Sequence, residues 1–245
     1  SDVTMHFEHK AGDKMFVDFA GNKLKIVDRA SGEVSEVEVF VAILGASQLT
    51  YVEAVESQKK EDFIFAVENA IQFFGGVPAA IVPDNLKSAV TRADRYEAEL
   101  NRTFADFGLH YETTILPTRS RKPRDKALVE NAVKNIYTSI YAQLRNRVFF
   151  TIIELNDAIK QELFKHNDRN FQKKDYSRRS LFTQIEEQVL KSLPHERYEI
   201  KSYSLATVYK NSFIWLGCDY HYYSVPFRYI GKKVKVEYTR SWVAV

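Results

Sequence analysis

Met15-Phe16-Val17-Asp18-Phe19-Ala20 is the stretch on which the reading of this chain turns. It is a strand-like apolar run with a carboxylate inside it, and a carboxylate in that setting is partly desolvated and therefore uncommon. Two other acids are placed in comparable ways. Asp84 closes a second strand-like run, Ala79-Ala80-Ile81-Val82-Pro83-Asp84. Glu130 falls in the first turns of a long helical pattern that follows the basic loop Arg119-Ser120-Arg121-Lys122-Pro123-Arg124. Carboxylates that converge repel one another unless a divalent cation neutralises them.

The sequence around these acids reads as an α/β layout. Residues 14–57 alternate in strand fashion as an antiparallel meander, with a hairpin turn at Arg29-Ala30-Ser31-Gly32. The period then changes: Phe63, Ala66, Val67, Ala70, Ile71 and Phe74 recur at helical spacing, and Gly75-Gly76 with Pro78 ends the helix. After the strand that ends at Asp84, Tyr96 to Phe107 is helical with Gly108 as its cap, and Tyr111 to Leu116 is a further strand. A long helix over about residues 125–146 buries Val129, Val133, Ile136, Ile140 and Leu144. This order predicts a mixed sheet flanked by helices. Residues 1–150 form that core, 151–194 a helical and basic connector, and 195–245 a small all-β barrel rich in aromatic residues, cut in strand-like sequence at Val245.

Bulk composition excludes several classes. The 245 residues are 45% hydrophobic and 27% charged, which suits a folded globular chain and not a disordered one. One cysteine, Cys218, excludes an internal disulfide and a cysteine-built zinc site. No apolar run approaches the roughly 18–20 residues of a membrane span, and the N-terminus does not read as a signal peptide. Ser1 reads as a boundary inside a longer protein, and the expected compartment is a reducing cytoplasm. A net charge of +3 permits nucleic-acid binding without requiring it.

Each acid alone has an ordinary explanation. Asp18 could be a hydrogen-bonded structural residue and Asp84 a turn or helix cap. Glu130 could pair with Lys126 or Lys134, one turn to either side. Three in this order, with 65 and 45 residues between them, point instead to one site. Carboxylates holding two Mg2+ ions about 3.5–4 Å apart supply what phosphodiester chemistry needs, and oxygen-only ligands suit Mg2+ or Mn2+ over zinc.

Val17-Asp18-Phe19-Ala20-Gly21, Pro83-Asp84-Asn85-Leu86-Lys87-Ser88-Ala89-Val90 and Lys126-Ala127-Leu128-Val129-Glu130-Asn131-Ala132-Val133 resemble the three acidic motifs of IstA-type bacterial insertion-sequence transposases. Those enzymes belong to the DDE recombinase superfamily, with retroviral integrases and a ribonuclease-H-like core. The run from Asp219 to Val234 is similar to that family's small barrel, so the resemblance spans essentially the whole chain. It implies that Asp18, Asp84 and Glu130 are the catalytic, metal-binding triad. It also implies cleavage of a donor strand by water and strand transfer by a 3′-hydroxyl, a homo-oligomer acting on transposon ends and target DNA, and an AAA+ ATPase of the IstB type as partner. Two departures stand out. The 45-residue gap before Glu130 is longer than in retroviral integrases, which puts an insertion near 94–107, and Tyr137 stands where many relatives have Lys or Arg. Lys134, one turn after Glu130, is then the candidate for the phosphate contact. The family's N-terminal helix-turn-helix region has no counterpart in these residues.

Basic residues beside the triad are the expected DNA contacts: Arg119, Arg121, Lys122, Arg124 and Lys126 in the loop, then Lys173, Lys174, Arg178 and Arg179 in the connector. Tyrosines in 198–229 read as barrel core or as stacking platforms for bases. His110, His166, His195 and His221 show no ligand spacing. Two alternatives remain at this level: a non-catalytic DNA-binding scaffold that keeps the fold, and a metal nuclease that only hydrolyses.

Overall fold

The computed structural model describes residues 9–83, 93–116, 123–239 and 241–245. Residues 1–197 form one compact unit and residues 198–245 another.

The larger unit is built on the strands β1 (Lys14–Phe19), β2 (Leu24–Val27), β3 (Val34–Leu44), β4 (Thr50–Val55), β5 (Ala80–Pro83) and β6 (Thr114–Ile115). The expected hairpin is present between β2 and β3: Asp28 Oδ1 accepts from the Ala30 and Ser31 amides, and Gly32 takes a φ of 71°. The rest is not a simple meander. β3 lies at the centre, antiparallel to β1 and β4, and β2 continues along β3 after β1 in almost the same register. Between the pairs Phe19↔Phe40 and Leu24↔Val37, four residues of one strand face two of the other, so residues 20–23 bulge out of the ladder. β5 then pairs parallel with β1, and β6 parallel with β5, completing a mixed sheet.

Alternation along the strands gives each face its own helices. On one face Phe19, Phe40, Phe63 and Phe104 stack ring to ring at 5.4–6.0 Å, joining the sheet to α1 (Lys60–Phe74) and α2 (Ala93–His110). Gly75, with a φ of 72°, ends α1 as expected. α2 runs on past Gly108, whose missing side chain has another use: a Cβ there would meet the Thr113 carbonyl at 2.8 Å.

On the other face Val37, Val39, Val41, Val52 and Ala54 pack against Ile136, Ile140, Leu144, Leu155 and Ile159. These come from the long helix, divided into α3 (Pro123–Ile136), a π-helical turn (Tyr137–Tyr141) and α4 (Ala142–Leu144), and from α5 (Ile152–Asp168). Residues 151–194, expected as a connector, lie within this unit. Asn156 and Asn167 of α5 each donate to and accept from the outer backbone edge of β4, at Ala54 and Thr50. Lys191 exchanges backbone hydrogen bonds with Val77, and buried Glu186 accepts from the Gly12 and Ser47 amides. A short helix α6 (Arg178–Leu181) opens with a capping box at Ser177 and Ser180.

The second unit is all-β, as its aromatic alternation indicated. β7 (Ser202–Thr207), β10 (Lys233–Tyr238) and β11 (Val243–Ala244) make one antiparallel sheet, and β8 (Phe213–Leu216) with β9 (His221–Ser224) a hairpin. Val208, Ile214, Leu216, Val225 and Val236 form their common core.

Candidate functional site

Asp18 sits one residue before the end of β1, half-buried, opposite Val41 of β3. It shares a sheet face with Phe16, two residues earlier. That face is covered by α3, because Phe16, Ile43 and Val82 pack with Ala132 and Leu128. The Phe19 amide donates to Asp18 Oδ1 at 2.8 Å, which fixes the orientation of the carboxylate at the point where β1 gives way to the bulge.

Glu130 is exposed on α3, between Leu128 and Ala132 in sequence. Seven residues on, and so on nearly the same helix face, Tyr137 accepts at its hydroxyl from the Asn22 amide at 3.0 Å. Tyr141 donates to the Asn22 carbonyl at 2.6 Å. α3 and β1 therefore advance side by side: Leu128 and Ala132 meet Phe16, and Tyr137 and Tyr141 meet Asn22. Glu130 is about 10.5 Å before Tyr137 along the helix. Asp18 is at most about 13 Å before Asn22 along its strand, so the two acids lie on elements that pack against each other.

Asp84 lies outside the described residues. The described ladder reaches Val17↔Pro83, one residue short of it. Arg119, Arg121 and Lys122 also lie outside the described residues, and Arg124 and Lys126 are described only as positions on α3. Among the described residues no group of three His, Cys, Asp or Glu converges as a metal cluster, and Asp84 is not among those residues.

The basic residues of the 165–179 stretch separate into two kinds. Lys173 and Lys174 are exposed, as is Lys134 on α3. Arg178 is 9% exposed; its guanidinium lies 4.6 Å from the centre of the Phe171 ring and donates to the His166 carbonyl. Arg179 pairs with Asp168 at 2.7 Å and lies over Phe164. Arg178 is thus a packing residue, a use that a basic run in sequence does not distinguish from DNA contact. In the second unit, Trp215 and Tyr222 face each other on the hairpin at 4.7 Å and both are exposed, with Tyr209 beside Tyr222.

The residues missed from sequence are those around the bulge. Lys23 pairs with Glu38 at 2.7 Å, and Glu38 also accepts from Gln58. The Glu38 carboxylate, by hydrogen bond and by charge, holds the Lys23 ammonium above its ordinary pKa. Burial, then the neighbouring Tyr137 and Glu38, push the Tyr141 hydroxyl up. The only trace of this cluster in sequence is the pair of tyrosines four residues apart.

No protein-family model matches the chain. Curated relatives do. It is 43% identical over 245 residues to "Putative transposase y4bL/y4kJ/y4tB" of Sinorhizobium fredii, covering 100% of this chain and 47% of that protein. It is 39% identical over 242 residues to "Putative transposase for insertion sequence IS408" of Burkholderia multivorans, covering 99% of this chain and 46% of that protein. The chain thus spans about half the length of the curated relatives it matches. Among solved structures, a chain of the simian T-cell lymphotropic virus intasome in complex with PP2A regulatory subunit B56 gamma superposes with a TM-score of 0.51 at 12% identity. That match covers 81% of this chain and 63% of that one, and bears on the fold alone. Along its whole length this chain is similar in sequence to insertion-sequence transposases.

Proposed function

We propose that this chain is the catalytic portion of a DNA transposase that cleaves donor strands and transfers transposon ends to target DNA, with Asp18, Asp84 and Glu130 as its metal-binding triad. The observation that supports the reading is the packing of α3, which carries Glu130, on the sheet face that carries Asp18. Asp84 enters the proposal from its motif, directly after Pro83, the residue that pairs with Val17. All three donors are carboxylates, a set that fits Mg2+ or Mn2+.

Two such ions in the site would activate water or a 3′-hydroxyl and neutralise charge on the leaving oxygen. The protein's part is positional. Asp18 is set by the Phe19 amide, and Glu130 by a helix whose neighbouring residues are buried on the sheet. Exposed Lys134, one turn beyond Glu130, is in reach of a phosphate approaching that helix face. Residues 198–245 hold seven Lys and Arg against three Asp and Glu, and the exposed Trp215 and Tyr222 add a stacking surface. DNA is thus the supported substrate, Lys173 and Lys174 are retained as backbone contacts, and a homo-oligomer with an AAA+ ATPase of the IstB type is the proposed working assembly. Among the described residues no helix is long and apolar enough to cross a membrane.

The test uses the full-length protein and a pre-cleaved end of its own element bearing a free 3′-hydroxyl. Joining to target DNA, dependent on Mg2+ or Mn2+, is the expected result. Glu130→Gln and Asp84→Asn should each reduce it at least about a hundredfold, while the exposed position of Glu130 leaves the melting temperature unchanged. Unimpaired DNA binding with no joining by the unmodified protein would favour the scaffold, and cleavage without joining the hydrolytic nuclease.

A further inference from the structure

We propose that Tyr137 and Tyr141 are positioning residues that set the separation of the metal-binding carboxylates. Their hydroxyls clamp the Asn22 peptide and so tie the end of the strand that carries Asp18 to the helix that carries Glu130. The proposal rests on the triad reading and adds to it the device that holds two of its members in register.

The bulge after β1 creates the need. Ala20 still donates to the Val39 carbonyl, at 2.8 Å, but the ladder resumes only at Leu24. Backbone groups between those points lack strand partners, and at exposed Asn22 the two tyrosines take the place that water would otherwise fill. The two tyrosines meet both groups of one peptide residue: Tyr137 accepts the Asn22 N–H and Tyr141 donates to the Asn22 C=O. A Cβ on Gly21 would stand 3.7 Å from the Tyr137 hydroxyl, so the ring lies directly over the bulge.

The helix is shaped for this grip. The rings pack edge to face at 4.9 Å, which makes the two hydroxyls move as a unit. They open and close the π-helical turn, where the Ala142 amide reaches back five residues to the Tyr137 carbonyl. π-turns inside α-helices recur at functional sites. The turn is also held from its far side, where Ser139 contacts His166 of α5 at 2.9 Å. A hydroxyl pair that only stabilised the fold could sit anywhere along the helix. This pair sits two turns beyond Glu130, at the first backbone excursion beyond Asp18.

The test measures Mn2+ binding to the 245-residue chain by electron paramagnetic resonance of the free ion, alongside thermal melting. Replacing Tyr137→Phe and Tyr141→Phe keeps both rings and removes both hydrogen bonds. The expected result is a Mn2+ Kd raised about tenfold, the scale seen when groups that orient metal ligands are removed. The melting temperature should fall by no more than about 4 °C. Each single variant should show part of the effect. An Mn2+ Kd within twofold of the unmodified chain would overturn the proposal, as would a loss of binding that merely follows the unfolded fraction. Asp18→Asn separates the two levels of the argument. If it abolishes binding while the tyrosine variants do not weaken it, the clamp alone fails. If Asp18→Asn binds Mn2+ normally, or the unmodified chain binds none, the triad reading fails and the clamp with it.

Discussion

Lowering the pH from 7 to 5 should cost this fold about 2 kcal/mol through one side chain, His166. The imidazole is 6% exposed at the end of α5. Burial, then the positive charges of Arg178 and Arg169, depress its pKa from 6.5 to about 3. Its tautomer follows from its neighbour. The Ser139 hydroxyl has one proton, which goes to the Asn135 carbonyl at 2.6 Å, so Ser139 accepts from His166 Nδ1–H at 2.9 Å. The folded state therefore holds His166 neutral across a range in which the unfolded chain protonates it. Above pH 6.5 both states are neutral and the linkage vanishes. From about pH 6.5 down to about 3 the unfolded state binds one more proton, and stability falls by up to about 1.4 kcal/mol per pH unit. At pH 5 the unfolded state has gained about 2 kcal/mol relative to pH 7, and a folded pKa one unit higher would barely alter that figure. Urea unfolding at pH 7, 6 and 5 should show this loss in the natural chain and its absence in His166→Gln. The comparison between the two cancels the titration of every other group. Parallel pH profiles for the two chains would rule out this role for His166, as would NMR evidence of a protonated imidazole in the folded protein at pH 5.

Two further perturbations test how the first unit is held together. Asn167→Ala leaves the buried Thr50 amide and carbonyl without partners, a loss of about 2–5 kcal/mol, whereas Asn156→Ala, which removes a half-buried side chain that water can partly replace at Ala54, should lose about 1–2 kcal/mol; equal midpoints in urea would sink the distinction. Arg178→Met should lower stability by about 1–3 kcal/mol while leaving the salt dependence of DNA binding unaltered, and Lys173→Ala with Lys174→Ala should do the reverse, a contrast read by thermal melting and by binding across a salt series.

What the sequence made legible is local. The Ser31-Gly32 hairpin, the Gly75 stop after α1 and the alternation of the second unit all follow from chain chemistry within a few residues, and the structure has each of them. The membership of Asp18 in β1 and of Glu130 in α3 was legible for the same reason. What stayed hidden depends on partners distant in sequence. Alternation cannot say which strands pair, so β1 and β2 read as two arms of a meander when they are one interrupted strand along β3. Polarity does not name its acceptor: Arg178 read as a DNA contact and nothing singled out Asn167 or Glu186, yet each is buried against backbone groups between 12 and 174 residues away. The bulge and the π-helical turn illustrate the limit best. Each is an irregularity that its own element does not explain, and each makes sense only with the other, since the turn brings two hydroxyls to the one peptide that the bulge exposes. If carboxylates from separate elements are brought to one point as proposed, such paired irregularities beside them would set the geometry, and they are invisible until the chain is folded.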